Sequence, residues 1–132
     1  MKALYSPAAV ALAAVAALAS GHVHAACTYP TAPDSIPDGN TATLDEMVAA
    51  QKAVRAFDQQ IGAYTACLKL ESDAALAQVD QSQDDTKKKE EQKKELERMQ
   101  VQKHNAAVEA DEALATRFNE QLKVFKAKNA KK

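Results

Sequence analysis

From Leu44 to Lys132 the chain contains no proline and one glycine, Gly62. Without helix breakers, and with alanine, lysine, glutamate, glutamine and leucine abundant, such a stretch is set up for long helices. Its first part, Thr43–Leu68, carries Met47, Ala50, Val54, Phe57, Ile61, Tyr64 and Leu68 at alternating steps of three and four. That spacing makes one apolar stripe close to a heptad seam. Thr43 and Glu46 form a capping-box pattern, in which hydroxyl and carboxylate each satisfy an orphan backbone donor. Leu68, Ala75, Leu76 and Val79 carry the stripe onward.

A second stripe follows. Leu96 and Met99 open it, and Ala107, Ala110, Leu114, Phe118, Leu122 and Phe125 continue it at helical spacing. Between the stripes, Asp80–Glu95 holds no apolar residue, so it cannot face a core. It can still be helical, because Lys87/Glu91, Glu90/Lys94 and Lys93/Glu97 stand at i,i+4. It reads as an exposed turn and the first turns of a second helix. The basic end, with Lys123, Lys126, Lys128, Lys131 and Lys132, complements a helix C-terminal dipole.

These features predict an all-α fold, an antiparallel hairpin of two long helices packed like a coiled coil. Matching large side chains across the seam sets Phe57 opposite Phe118, Ile61 opposite Leu114, Leu68 opposite Ala107 and Val54 near Leu122. That register places the turn near Asp84–Glu90, whereas the cap signal Ser82-x-x-Asp85 places it a few residues earlier. The expected core is Met47, Val54, Phe57, Ile61, Tyr64, Leu68, Leu114, Phe118, Leu122 and Phe125.

The N-terminus has a different character. Lys2 precedes Ala8–Ala19, an unbroken apolar run, and Ser20–Ala25 is a small and polar exit. This is the pattern of a secretory signal peptide over 1–25, cleaved between Ala25 and Ala26. The apolar run is shorter than the roughly 20 residues of a membrane span, so no integral span is expected after processing. Ala25-Ala26-Cys27 also resembles the end of a lipobox, but His24 stands where such a site wants leucine.

Export makes the periplasm or the cell exterior the expected location, and oxidation the expected state of the two cysteines, Cys27 and Cys67. Between Cys27 and Thr43 stand Pro30, Pro33, Pro37 and Asp38-Gly39, which favour an extended path. Such a strap spans up to roughly 50 Å, and the helix from Leu44 to Cys67 rises about 35 Å. The strap can therefore run back along the helix and bridge Cys27 to Cys67. The resulting division is a signal peptide over 1–25, a Pro-rich strap over 26–43, a hairpin over 44–128 with its turn near 82–90, and a basic tail over 129–132.

Sites for chemistry are sparse. Of 17 basic and 18 acidic residues, only Lys2 lies in the signal, so the remainder is near balance and nucleic acid is not an expected partner. His104 is the one histidine after the signal, with no metal-ligand spacing around it. Asp84-Asp85 and Glu90-Glu91 lack the calcium-loop pattern. There is no phosphate loop and no nucleophile elbow. No catalytic residue, metal or cofactor is expected, and an enzyme is not.

Two stretches carry a resemblance. CTYPTAPDSIPDG with TLDEMVAAQKAVRAFDQQIGAYTACL, and KHNAAVEADEALATRFNEQLKVFKAK, together cover most of residues 27–128. They resemble stretches of small exported helical proteins of Gram-negative bacteria to which no activity is assigned. The shared marks are Cys27 before the prolines, Glu46-Met47 at the helix start and Tyr64-x-x-Cys67-Leu68. Asn105-Ala106-Ala107-Val108 and Phe118-Asn119-Glu120-Gln121 complete them. The resemblance implies a common helical fold and a common disulfide. The Asp80–Glu95 insert is longer and richer in lysine than in those proteins.

The function expected is a non-enzymatic periplasmic structural or protein-interaction role with a protein partner in the envelope, and with self-association allowed. Asn105, Arg117, Asn119 and Gln121 would then be surface or interhelical polar contacts. The alternative is a holdase-like chaperone or a factor binding anionic lipid or cell-wall polymer. Near-neutral charge counts against a coiled-coil holdase, which is strongly basic.

Overall fold

A computed structural model describes residues 26–130. The signal-peptide expectation over 1–25, and Lys131 and Lys132 of the basic tail, lie outside the described residues; the cleavage junction is described only on its Ala26 side. Two helices, α1 (Leu44–Gln81) and α2 (Thr86–Asn129), pack on each other, and the described residues contain no strand. The fold is an all-helical hairpin. At about 1.5 Å per residue the helices run roughly 57 and 66 Å. The end with the start of α1 and the finish of α2 is called proximal here, and the end with the turn distal.

Each helix start is fixed locally. The Thr43 hydroxyl accepts from the Glu46 backbone N–H (3.2 Å), and the Glu46 carboxylate accepts from the Thr43 N–H (2.7 Å). This is the capping box expected from the sequence. Those hydrogen bonds, the backbone one foremost, hold the Glu46 carboxyl below its ordinary range. At α2 the Asp85 side chain accepts from the Lys88 N–H (3.0 Å). Ser82 caps the C-terminus of α1, and its hydroxyl donates to the Val79 carbonyl (2.9 Å).

The connection is thus Ser82–Asp85, the early end of the expected window, and the cap signal outweighs the stripe-matching register. Thr86–Glu95 is entirely helical although it contributes nothing to a core. A short turn slides α2 about one helical turn from the expected pairing. Val54 shares a groove with Phe118, not Leu122. Leu68 lies beside Met99 and Lys103, not Ala107. On this register Phe57 is level with Leu114, and both are among the largest fully buried side chains. The pairing of Phe57 with Phe118 is corrected accordingly.

Burial is uneven along the hairpin. Met47, Ala50, Val54, Phe57, Ile61, Tyr64 and Leu68 of α1 and Ala107, Leu114 and Phe118 of α2 form the core. Leu122 and Phe125, expected in it, are half-buried against its proximal end, with Cys27, Ile36 and Ala42. Beyond Leu68, and before Ala107, no described residue is buried. Two helices alone cannot enclose a seam. The core ends near where the N-terminal segment, the third layer, ends at Cys27.

Candidate functional site

The N-terminal segment ties both helices together. Cys27 and Cys67 form a disulfide with Cα atoms 5.8 Å apart. The Tyr29 ring stands edge-on to Tyr64, centroids 5.2 Å apart at 76°. Aromatic pairs prefer this arrangement because a positive ring edge meets a negative face. Further along, Asp38 organises a turn: its side chain accepts from the Asn40 N–H (2.9 Å) and its carbonyl from the N–H groups of Thr41 (3.1 Å) and Ala42 (2.8 Å). The turn presses Gly39 against α2, where its N–H donates to Gln121 Oε1 (2.9 Å). The Lys128 ammonium donates to the Asn40 carbonyl.

Gly39 and its partner were not read from the sequence as a helix contact. Asp38-Gly39 signals a turn, but nothing local says that the turn will meet a residue 82 positions away. Gln121, expected only as a polar contact, is the acceptor. Asn119 lines a groove with Gln51, Val54 and Phe118.

Asp111 faces Asp58 across the seam. Burial, then the charge and hydrogen-bonding of Asp58, push the Asp111 carboxyl above its ordinary range. One of its oxygens, Oδ1, is buried without a hydrogen-bond partner. Two carboxylates meeting across a helix interface oppose packing wherever both are charged.

The distal half is an arm of mixed charge. Its seam residues Ala75, Val79, Leu96 and Met99 line an open groove of about 610 Å³, with Asp84, Glu91 and Glu95 at the rim. The expected i,i+4 pairs of Lys87, Glu90 and Lys93 with the residues that follow are replaced by others. Asp84 binds Lys88 (2.7 Å), Glu95 binds Arg98 (2.6 Å), and Lys93 reaches back to Asp80 on α1. Lys89 donates to the Asp80 carbonyl (2.9 Å), so the lysine run closes the turn as well as facing solvent. The Lys88 ammonium holds the Asp84 carboxyl down, and Arg98 does the same for Glu95.

His104 is half-buried on α2. Among the described residues no group of three or more His, Cys, Asp or Glu is placed to hold a metal, and no helix is long and apolar enough to cross a membrane. No family model, no curated protein and no solved structure matches the chain.

Proposed function

We propose that this chain is an exported, non-enzymatic interaction protein of the bacterial envelope. Its single structural support is the division of the hairpin into a clasped proximal core and an arm whose seam, Ala75, Val79, Leu96 and Met99, stays open. Contiguous apolar surface flanked by polar residues is the usual mark of a contact site. The leader pattern of residues 1–25 and the resemblance to small exported helical proteins support the location.

The test is a pulldown from envelope extract with the oxidised chain and with Leu96→Glu/Met99→Glu. One discrete partner, lost with the double variant, supports the proposal. Many unfolded outer-membrane proteins would support the holdase alternative instead. A cytoplasmic chain that retains residues 1–25, found by fractionation and intact mass, would overturn the assignment to the envelope.

A further inference from the structure

The proximal end carries a second apolar surface, of opposite electrostatic character to the arm. Leu44, the first residue of α1, is 64% exposed, and Val48, one turn later, is 41% exposed. Both line a groove of about 390 Å³ with half-buried Leu122 and Phe125, and Lys126 stands on its edge. Lys123 lies one turn before Lys126 on the same helix. Among the described residues neither lysine enters a salt bridge. The acids of the first turn of α1 do not neutralise the patch. The Glu46 carboxylate is engaged by Thr43, and Asp45 lies roughly 60° further round the helix than Val48.

Burying a half-exposed leucine at the first position of a helix would improve stability, yet nothing in the hairpin covers it. The N-terminal segment packs on another part of α2, at Gln121 and Val124. The groove is short against the roughly 800 Å² per partner of a stable protein interface. Exposed aliphatics beside unpaired lysines match what lies in a membrane interface: apolar groups reach the acyl boundary while ammonium groups meet lipid phosphates.

We infer that the proximal end of the hairpin, through Leu44, Val48, Phe125, Lys123 and Lys126, docks on an anionic lipid surface. The arm then projects from the membrane with its groove free. This deepens the interaction reading by naming a surface on which the protein sits. It is tested with purified chain, so its failure leaves the pulldown result standing, and the reverse.

The experiment is co-sedimentation of the oxidised chain with phosphatidylglycerol/phosphatidylethanolamine vesicles, against phosphatidylcholine vesicles. Binding is expected to the first only, and to weaken with salt. At about five-fold per lysine near an anionic surface, Lys123→Gln/Lys126→Gln should lose roughly 25-fold in partitioning. Leu44→Ser/Val48→Ser should lose about tenfold, because it removes most of the insertable area. The chain has no tryptophan, so Leu44→Trp is a sole reporter whose emission should shift to the blue on binding. Its readout holds even if a serine variant folds poorly. Equal binding to phosphatidylcholine, unshifted emission with vesicles bound, or full binding by a folded serine variant would overturn the inference. Binding to soluble polyphosphate that needs the lysines but not Leu44, without vesicle binding, would overturn it in favour of an anionic polymer.

Discussion

The backbone N–H of Gly39 donates to the side chain of Gln121, and the two chains of atoms approach so closely that no side chain fits between them. A Cβ at position 39 would stand 2.1 Å from the Gln121 carbonyl oxygen, 2.8 Å from the Phe125 nitrogen and 3.0 Å from the Val124 Cβ. Two of these are helix backbone and cannot swing away. Gly39→Ala should therefore destabilise the hairpin by about 1–3 kcal/mol, the cost of overpacking a filled site. Gln121→Ala, which removes one partly buried hydrogen bond, should cost about 0.5–1.5 kcal/mol. Urea melts of both variants check the ranking. Equal melts for Gly39→Ala and wild type would show that the turn does not sit on α2.

The Cys27–Cys67 bridge closes a loop with a sequence separation of 40. In the chain-entropy account such a loop is worth about 4 kcal/mol. Cys27→Ser/Cys67→Ser should lower stability by up to that amount. The loss should be smaller if the Gly39 contact keeps the segment in place. Thiol labelling of unreduced, denatured protein should find no free thiol, and labelling at both positions would contradict the bridge.

Much of this architecture is legible in the sequence, for a physical reason. Helix content follows from local chemistry, and Thr43 and Glu46 announce α1 through contacts three residues apart. The α1 stripe maps residue for residue onto the buried face, because a period of 3.6 fixes which side chains share a side. The interhelical register is less legible. It depends on where a polar run stops being a turn, and Asp85 settles that with one side chain. Four residues of displacement preserve an acceptable match of large against large, so stripe matching alone cannot choose between the two pairings. The Gly39 and Asp111 contacts are illegible for a different reason. Both are long-range consequences of that register.

Asp111 gives a pH signature. Its folded-state carboxyl titrates above the ordinary value of 3.8, through burial first and then Asp58. The folded state therefore holds the proton more tightly than the unfolded state does. Stability should fall as pH rises from near 3.8 through the folded value, and the penalty is fully present above it. Glu46, Asp84 and Glu95 are shifted downward and act in the opposite sense, losing their contribution as pH falls. The difference between wild type and Asp111→Asn isolates the Asp111 part. The variant should be the more stable at neutral pH, with the gap closing toward pH 4. A gap that widens on acidification would mean that Asp111 is stabilised, not strained, in the fold.

The shifted register makes its own prediction. Phe57 and Leu114 are level and fully buried, so Phe57→Ala should cost about 3–5 kcal/mol and Leu114→Ala about 2–5 kcal/mol. Residues in contact couple, whereas those more than about 7–10 Å apart add. A double-mutant cycle on Phe57 and Leu114 should therefore give coupling of about 0.5–3 kcal/mol. The cycle on Phe57 and Phe118 should fall well below it, because Phe118 lies one turn further along, beside Val54. The cycle on Val54 and Phe118 should be positive for the same reason. The reverse ranking, with Phe57 coupled to Phe118 and Val54 to Leu122, would restore the later turn and displace Asp85 as the cap of α2. Asp85→Ala adds an independent check. It should cost about 1 kcal/mol if Asp85 is the cap, and almost nothing if α2 begins later.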